Sequence, residues 1–222
     1  MGAADQPVAI VVPGVPGSLV GDVSTTEEHA MPAGADRTAV GPMVIVAVEQ
    51  FEPSPLIHDP WAAELLPLSG RLAVRLAKWP AARRSTVKAT EKKMLGLWAS
   101  MLCRKRYIDD KLGDAVQDGI EAVVILGAGF DTRAYRVPGL AGIPVWEMDL
   151  PANIARKEAA LRRCFGRVPE GVTLVPVDFE TQDLHAELIR HGYRPGSRTF
   201  VAWEAVTQYL TEAGVPSIGS SS

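Results

Sequence analysis

Two features of this chain have residue types and a spacing that are typical of a ligand site. They are a glycine-containing turn and an acidic residue twenty positions after it. The aliphatic run Ala122–Leu126 is typical of a buried strand, and it leads into Gly127-Ala128-Gly129, where missing side chains let a ligand approach the backbone. A second strand-like run, residues 143–148, ends at Asp149. In α/β folds this arrangement binds a ribose-bearing cofactor. The pattern predicts a nucleoside cofactor, with Asp149 accepting hydrogen bonds from the ribose hydroxyls.

The residues after the turn distinguish between nucleoside cofactors. A dinucleotide fingerprint needs a third glycine three residues after the second, and this chain has Thr132 there. Asp131 would also face a pyrophosphate with like charge. Both features argue against NAD or FAD and favour S-adenosyl-L-methionine (SAM), which carries no phosphate. Two alternatives stay open, an NAD(P)-linked oxidoreductase and a tight turn without a ligand.

The elements around these residues follow a βαβ pattern. Strand-like runs at about 122–127, 143–148, 172–177 and 199–203 alternate with helical patterns at 152–163 and 184–190. This alternation predicts an α/β fold with a parallel sheet, helices on both faces, and ligands at the carboxyl ends of the strands. Upstream, residues 38–48 suggest a helix. A long amphipathic helix is marked by Met94, Leu97, Trp98, Met101, Leu102, Ile108 and Leu112.

Four ordered segments resemble one known family. Residues 126–136 resemble the signature of leucine carboxyl methyltransferase-like proteins, especially the actinobacterial branch of SAM-dependent methyltransferases. Residues 104–110 are similar to the family's Arg-x-Arg-x-x-Asp segment, and residues 146–151, followed by Lys157, to its Glu-x-Asp-x-Pro segment. Residues 203–211 resemble its Glu-x-x-x-x-Tyr-Leu segment. The resemblance implies a Rossmann-like class I methyltransferase fold, SAM as cofactor, and a lid over the site that includes the 38–48 helix.

The resemblance also suggests how the cofactor is held. Gly127 and Gly129 would line it through their backbone, and Asp149 would bind the ribose, unless Asp149 instead caps the helix that opens at Pro151. Asp178 would accept a hydrogen bond from the adenine amino group, with Phe179 against the ring. The alternative for Asp178 is a cap before the next helix.

Two further side chains are expected near the methionine portion of the cofactor. Arg104 stands where the family has an arginine that pairs with the cofactor's carboxylate. Arg106 is its rival, and a solvated surface arginine is the alternative for either. Glu204 ends the 199–203 strand, either near the cofactor or as a buried structural carboxylate. We expect O-methylation of a small carboxylate or hydroxyl substrate, and the sequence identifies no catalytic residue, because a carboxylate acceptor needs no general base.

Composition limits the other possibilities. Cys103 and Cys164 are expected to be free thiols of a cytoplasmic protein, and the four histidines show no metal-ligand spacing. No apolar run approaches the ~20 residues that span a bilayer, so no membrane partner is expected. The segment Arg71–Lys111 holds twelve Lys/Arg against three acidic residues, a local charge of +9. We interpret it as a solvated helix face rather than a nucleic-acid or membrane surface, since aromatic residues are not interleaved as single-strand binders require.

The domain organisation follows from these segments. We expect a disordered arm at 1–35, lid and entry helices at 36–118, the SAM-binding core at 119–211, and a flexible tail at 212–222. Only four of the seven strands usual for the fold are present, so we expect an incomplete sheet. An uncovered edge at the strand 199–203 predicts a homodimer through that edge. A degenerate SAM-binding fragment without activity is the alternative function.

Overall fold

The structure, a computed structural model, describes residues 8–12 and 40–204. Its strands are β1 (Val8–Val12), β2 (Ala122–Leu126), β3 (Val145–Asp149), β4 (Val172–Pro176) and β5 (Thr199–Glu204). Its helices are α1 (Val40–Glu49), α2 (Ala62–Leu65), α3 (Leu68–Leu76), α4 (Pro80–Lys93), α5 (Leu97–Gln117), α6 (Arg133–Arg136), α7 (Pro151–Phe165) and α8 (Leu184–Arg190).

The strands form one parallel sheet in the order β1-β5-β2-β3-β4. The chain runs from β2 through β3 to β4 in one direction and then returns to place β5 on the other side of β2. The strand order therefore reverses between β2 and β5, and this is where open α/β sheets bind ligands. The predicted α/β class with a parallel sheet is confirmed.

Helices cover both faces of the sheet. Successive strand side chains point to opposite faces, so Val145, Phe200 and Ala202 share one face, where α5 contributes Ile108 and Leu112. Helix α7 lies on the same face, as its Lys157 contacts Glu147 of β3. The opposite face carries α8 over a cluster that includes Trp146, Met148, Val175 and Trp203. Burial on both faces explains why these strands are almost wholly apolar.

The helices before the sheet form a second packing unit around α1. Residues 45–48 of α1 are buried against α2, α3 and α5, and this agrees with the helix predicted at 38–48. The predicted long amphipathic helix is shorter than expected at its start. Gly96 has a φ of 79° and precedes α5, so Met94 belongs to the preceding turn.

The expected open edge at the strand 199–203 is wrong. Strand β1 pairs in parallel with β5 along its whole length, from Val8 opposite Phe200 to Val12 opposite Glu204. The argument for a homodimer through this edge loses its premise, because a segment upstream in the chain supplies the partner strand. The predicted disordered arm is likewise wrong for residues 8–12.

Other expectations fall outside the described residues. These are the rest of the arm, the tail at 212–222 and the part of the 203–211 motif that follows Glu204. Within the described ranges, no helix is both long and apolar enough to cross a membrane.

Candidate cofactor site

Three acidic side chains share one face of the sheet near its carboxyl edge. Asp149 ends β3 and Glu204 ends β5, and Glu147 lies two residues before Asp149, so side-chain alternation puts it on the same side. Helices α5 and α7 cover this face and bring Lys and Arg side chains to Glu204 and Glu147. Acidic side chains of the strands therefore meet basic side chains of the helices at the point where the strand order reverses.

The glycine turn after β2 has the backbone expected of it. Gly127 and Gly129 have φ values of 64° and 43°, a left-handed region that residues with a Cβ rarely adopt. Both glycines remain partly exposed while Ala128 between them is buried. The N–H of Ala128 donates to the carbonyl oxygen of Met148 at 3.0 Å, which fixes the turn to the end of β3. A ligand at this edge would meet backbone rather than side chains.

Asp149 holds the glycine turn directly. The N–H of Gly129 donates to Oδ2 of Asp149 at 2.6 Å. Its other oxygen, Oδ1, accepts from the N–H of Leu150 at 2.7 Å and from the side-chain amide of Asn153 at 2.8 Å. The predicted alternative as a helix cap is thus partly realised, because Leu150 and Asn153 belong to the start of α7. A carboxylate has about four acceptor positions, so three contacts leave it able to accept another hydrogen bond.

Glu204 lies among three cations. Its Oε1 is 3.0 Å from Nε of Arg104, and its Oε2 is 3.2 Å from Nζ of Lys105 and 3.1 Å from Nη1 of Arg133. Burial by itself would raise the pKa of Glu204, but Lys105, Arg133 and Arg104 outweigh it and lower the pKa to about 2. Both roles considered for Glu204 fit its place, since it is largely buried and ends β5 at the ligand edge.

The cations around Glu204 belong to a larger ion-pair network. Arg133, which is 1% exposed, also contacts Asp131 at 2.5 Å and Asp109 at 2.8 Å. Burial opposes the charged form of Arg133, but Asp131, Glu204 and Asp109 together raise its pKa. Arg136 extends the network from Asp109 at 2.8 Å to Asp59 at 3.2 Å. The network comprises four acids and four bases: Asp59, Asp109, Asp131, Glu204, Arg104, Lys105, Arg133 and Arg136.

This network joins the segment between α1 and α2 to the residues that follow β2. Asp59, in the segment between α1 and α2, is 1% exposed and accepts a hydrogen bond from the hydroxyl of Thr132 at 2.5 Å. Thr132 stands where a dinucleotide fingerprint would have its third glycine. The hydroxyl of Thr132 therefore bonds to the segment between α1 and α2, a contact that a glycine could not make.

A second buried ion pair lies beneath the glycine turn. Nζ of Lys157 is 2.8 Å from Oε1 of Glu147, and the two side chains are 1% and 0% exposed. The hydroxyl of Tyr135 donates to Oε2 of Glu147 at 2.6 Å, and Nζ of Lys157 is 3.5 Å from the carbonyl oxygen of Ala128. Burial raises the pKa of Glu147, although Lys157 acts to lower it. The pair connects β3 and α7 to the turn.

The structure distinguishes the two candidate arginines. Arg104 points to the strand ends and contacts Glu204, whereas Arg106 is exposed and pairs with Asp110 at 2.7 Å and with the carbonyl oxygen of Leu56 at 3.0 Å. Arg106 therefore takes the alternative role of a surface arginine. Arg104 is next to the network but is already engaged with a protein carboxylate.

Asp178 and Phe179 follow β4, the strand beside Asp149. The carboxylate of Asp178 accepts from the N–H of Glu180 at 3.0 Å, a turn contact that matches its alternative role. Phe179 is 8% exposed and packs in the apolar cluster under α8, on the face of the sheet away from Asp149 and Glu204. The structure brings Asp149, Gly127 and Gly129 together, and separately Arg104 and Glu204. It records no contact that joins Asp178 or Phe179 to either group within the described residues.

Most of the charged residues at the site were not predicted from the sequence. Lys105, Asp109, Arg133, Arg136, Glu147 and Lys157 lie in the segments that were matched to the family, but only their neighbours were assigned. One available signal was Glu147, a charge inside an otherwise apolar buried strand, since a buried charge needs a partner. Among the described residues, no group of three or more His, Cys, Asp or Glu side chains could hold a metal ion.

Comparison with known proteins gives one consistent family. The sequence model of the family described as leucine carboxyl methyltransferase matches residues 39–219. Similar proteins from Frankia alni, Streptomyces coelicolor and Mycobacterium bovis are 33%, 30% and 33% identical to this chain, over 84%, 85% and 85% of its length. All three carry the provisional name of SAM-dependent methyltransferase. The matched segment covers 63%, 64% and 53% of those proteins, so the chain spans less than two thirds of their length.

Proposed function

Because the chain belongs to the leucine carboxyl methyltransferase family, we propose that it binds SAM at the carboxyl edge of the sheet and transfers the methyl group to an oxygen. The observation that carries this proposal is the contact between the glycine turn and Asp149. The 2.6 Å hydrogen bond from Gly129 to Asp149 holds bare backbone and an acidic acceptor side by side. This is the pairing that binds a ribose in α/β folds.

The residues at this edge suit SAM better than a dinucleotide. Asp149 keeps capacity to accept from a ribose hydroxyl, and its recorded contacts are all with uncharged donors. Arg104 contacts Glu204 through Nε and the sulfur of Met101 through Nη2, so its remaining N–H groups could take a ligand carboxylate. The partly exposed Asp178 is the candidate for the adenine amino group, and Phe179 would approach the ring only by leaving its apolar cluster.

Bound SAM would supply an electrophilic methyl group on a sulfonium. An oxygen of the acceptor would attack the methyl carbon as the S–CH3 bond breaks, and the thioether would leave with the electrons of that bond. The task of the chain is then to orient the two reactants and to exclude water. A carboxylate acceptor is ionised at neutral pH and needs no base, whereas a hydroxyl acceptor must lose a proton. The carboxylates Asp131 and Glu204 are held ionised by their cations, and a group with so low a pKa is a weak base. We therefore propose a small carboxylic acid as the preferred acceptor.

Calorimetry with SAM and with S-adenosylhomocysteine tests the binding site. Asp149→Asn removes the charge at the glycine turn and should weaken both ligands roughly tenfold or more, the effect of losing a hydrogen bond to a charged group. Asp118→Asn is the matched control, because Asp118 is exposed and lies just before β2, at the amino end of the strand and away from the glycine turn. Folded protein that binds neither ligand, or that binds NADH more tightly, would refute the proposal.

Turnover is tested separately with radiolabelled SAM and two panels, one of small carboxylic acids and one of phenols and alcohols. We expect transfer to the acids, at a rate that does not rise between pH 6 and pH 9, since the acceptor is already ionised across that range. SAM binding without transfer to either panel would instead support a binding fragment that lacks activity.

A further inference from the structure

Helix α3 presents a row of leucines to solvent. Leu68, Leu72 and Leu76 follow one another at intervals of four residues and are 64%, 52% and 68% exposed. Trp79, between α3 and α4, is 75% exposed. The opposite side of α3 is buried and includes Val74 at 3%. Scattered exposed leucines are ordinary, but a contiguous row on one helix face indicates a surface that contacts something apolar.

Cations border this row. Arg71 and Arg75 each follow a leucine of the row by three residues and therefore lie beside it on the helix. Lys78 comes directly before Trp79, and Arg84 and Lys88 are exposed on α4. The sequence contains no Asp or Glu between Leu65 and Thr90. Within the described structure, Arg75, Lys78, Arg84 and Lys88 have no carboxylate at ion-pair distance.

We propose that this surface, the leucine row with Trp79 and its bordering cations, lies on an anionic lipid bilayer. Leucine and tryptophan side chains enter the boundary between headgroups and acyl chains, while flanking Lys and Arg contact lipid phosphates. Charge complementarity selects an anionic surface. Six Lys/Arg and no acid lie between residues 65 and 90 of the sequence, and among the described residues the one ion pair recorded for these six joins Arg83 to Glu52. A nucleic acid would match the charge but offers no partner for three aliphatic side chains.

The proposal revises the sequence-based interpretation of the basic segment as a solvated helix face. That interpretation rested on the lack of interleaved aromatic residues, which bears on single-stranded nucleic acid and not on lipid. A helix that lies in the headgroup region needs only one apolar face, and the exposure of the leucines became visible only in the folded chain. Peripheral contact of this kind places the lid helices, which precede the cofactor site, next to the lipid surface.

Co-sedimentation with lipid vesicles tests the proposal. The chain should sediment with phosphatidylcholine vesicles containing about a third phosphatidylglycerol and not with phosphatidylcholine alone. Raising the salt from about 0.1 M to about 1 M should release it, because the Debye length falls from about 10 Å to about 3 Å. Equal binding to both vesicle types, or binding to neither, would overturn the proposal.

Matched variants locate the contact. Leu76→Ser should lower the partition coefficient about tenfold, whereas Leu95→Ser, at a leucine that is 92% exposed but outside the row, should leave it unchanged. Arg75→Gln and Lys78→Gln should each lower it about fivefold, and Arg167→Gln should not. Thermal melting checks that each variant is folded. Light scattering that shows a dimer lost in Leu76→Ser, or tighter binding to duplex DNA than to anionic vesicles, would assign the surface to another partner and overturn the proposal.

Discussion

Replacing Lys157 by methionine leaves Glu147 buried without its cation. The ammonium and carboxylate are 2.8 Å apart and at most 1% exposed, so neither group can turn to water without opening α7 from the sheet. Glu147 keeps the hydrogen bond from Tyr135 at 2.6 Å. The converse variant, Glu147→Gln, keeps the shape of the side chain and leaves the buried ammonium without a counter-charge.

The size of the effect follows from two opposing contributions. At 2.8 Å and an effective dielectric constant of about 20, the attraction amounts to about 6 kcal/mol. Desolvation costs several kcal/mol for each ion, so the intact pair contributes little net stability. Removing one partner loses the attraction and keeps the cost of the other ion. We expect each single variant to lower the free energy of unfolding by about 3–5 kcal/mol near neutral pH.

The two variants should differ in how their stability depends on pH. In Lys157→Met, the pKa of the isolated Glu147 is raised further by burial, so the penalty is absent below its unfolded pKa of about 4.3 and grows by about 1.4 kcal/mol per pH unit above it. In Glu147→Gln, no carboxylate remains at this position, so this growth of the penalty with pH is absent.

Urea unfolding at a series of pH values, followed by circular dichroism, measures both slopes. The double variant Lys157→Met/Glu147→Gln should be destabilised by less than the sum of the two single variants, because no buried charge remains at this position. Arg167→Met is the control, since the Arg167–Glu170 pair is 72% and 82% exposed and should contribute at most about 1 kcal/mol. Equal pH slopes in the two single variants would refute the buried-pair reasoning.

Two further predictions concern the network around Glu204. Arg133→Met removes three ion pairs at once from a side chain that is 1% exposed, and should lower the free energy of unfolding by about 3–5 kcal/mol in urea, whereas the exposed Arg162→Met should change it by less than about 1 kcal/mol. Ionised Glu204 stabilises the fold above its ordinary pKa of 4.5. The free energy of unfolding should therefore fall by up to about 3 kcal/mol as the pH drops from 4.5 through about 2. The raised pKa of Glu147 changes stability with pH in the opposite direction. Acid titrations of the wild-type protein are therefore compared with those of Glu204→Gln, in which the loss of stability between pH 4.5 and 2 should be absent.

The sheet was predictable because its strands are short apolar runs that end in glycine or an acid. Residues 122–126 and 172–176 lie within the predicted strands, residues 145–149 extend one residue past the predicted 143–148, and the glycine turn stands where the pattern put it. Strand β1 was missed because Val8–Val12 is a short apolar run among prolines and glycines, separated from β5 by almost the whole chain. Parallel pairing over such a separation depends on tertiary contacts that local periodicity does not record.

At the candidate site, local motifs identified which segments meet but not which charges pair. Arg104 and Arg106 are equivalent in the sequence, yet they lie two residues apart on α5 and therefore point to different sides of the helix. One reaches Glu204, and the other reaches solvent and Asp110. Pairings between α5, the segment after β2 and the end of β5 span up to a hundred residues, and only the fold determines them.

The structure also changes the reason for expecting a ligand without phosphates. Asp131 was expected to repel a pyrophosphate, but it pairs with Arg133 at 2.5 Å and lies inside a network of four acids and four bases, so its charge is compensated. Asp149 differs, because the contacts recorded for it come from two backbone N–H groups and one side-chain amide, none of them charged. Among the described contacts its negative charge is therefore not paired with a cation, which suits a hydroxyl-bearing ligand such as a ribose. Dinucleotide-binding folds carry an acid at the same place, so the case against a pyrophosphate rests instead on Thr132, which stands at the position of the third glycine and is bonded to Asp59.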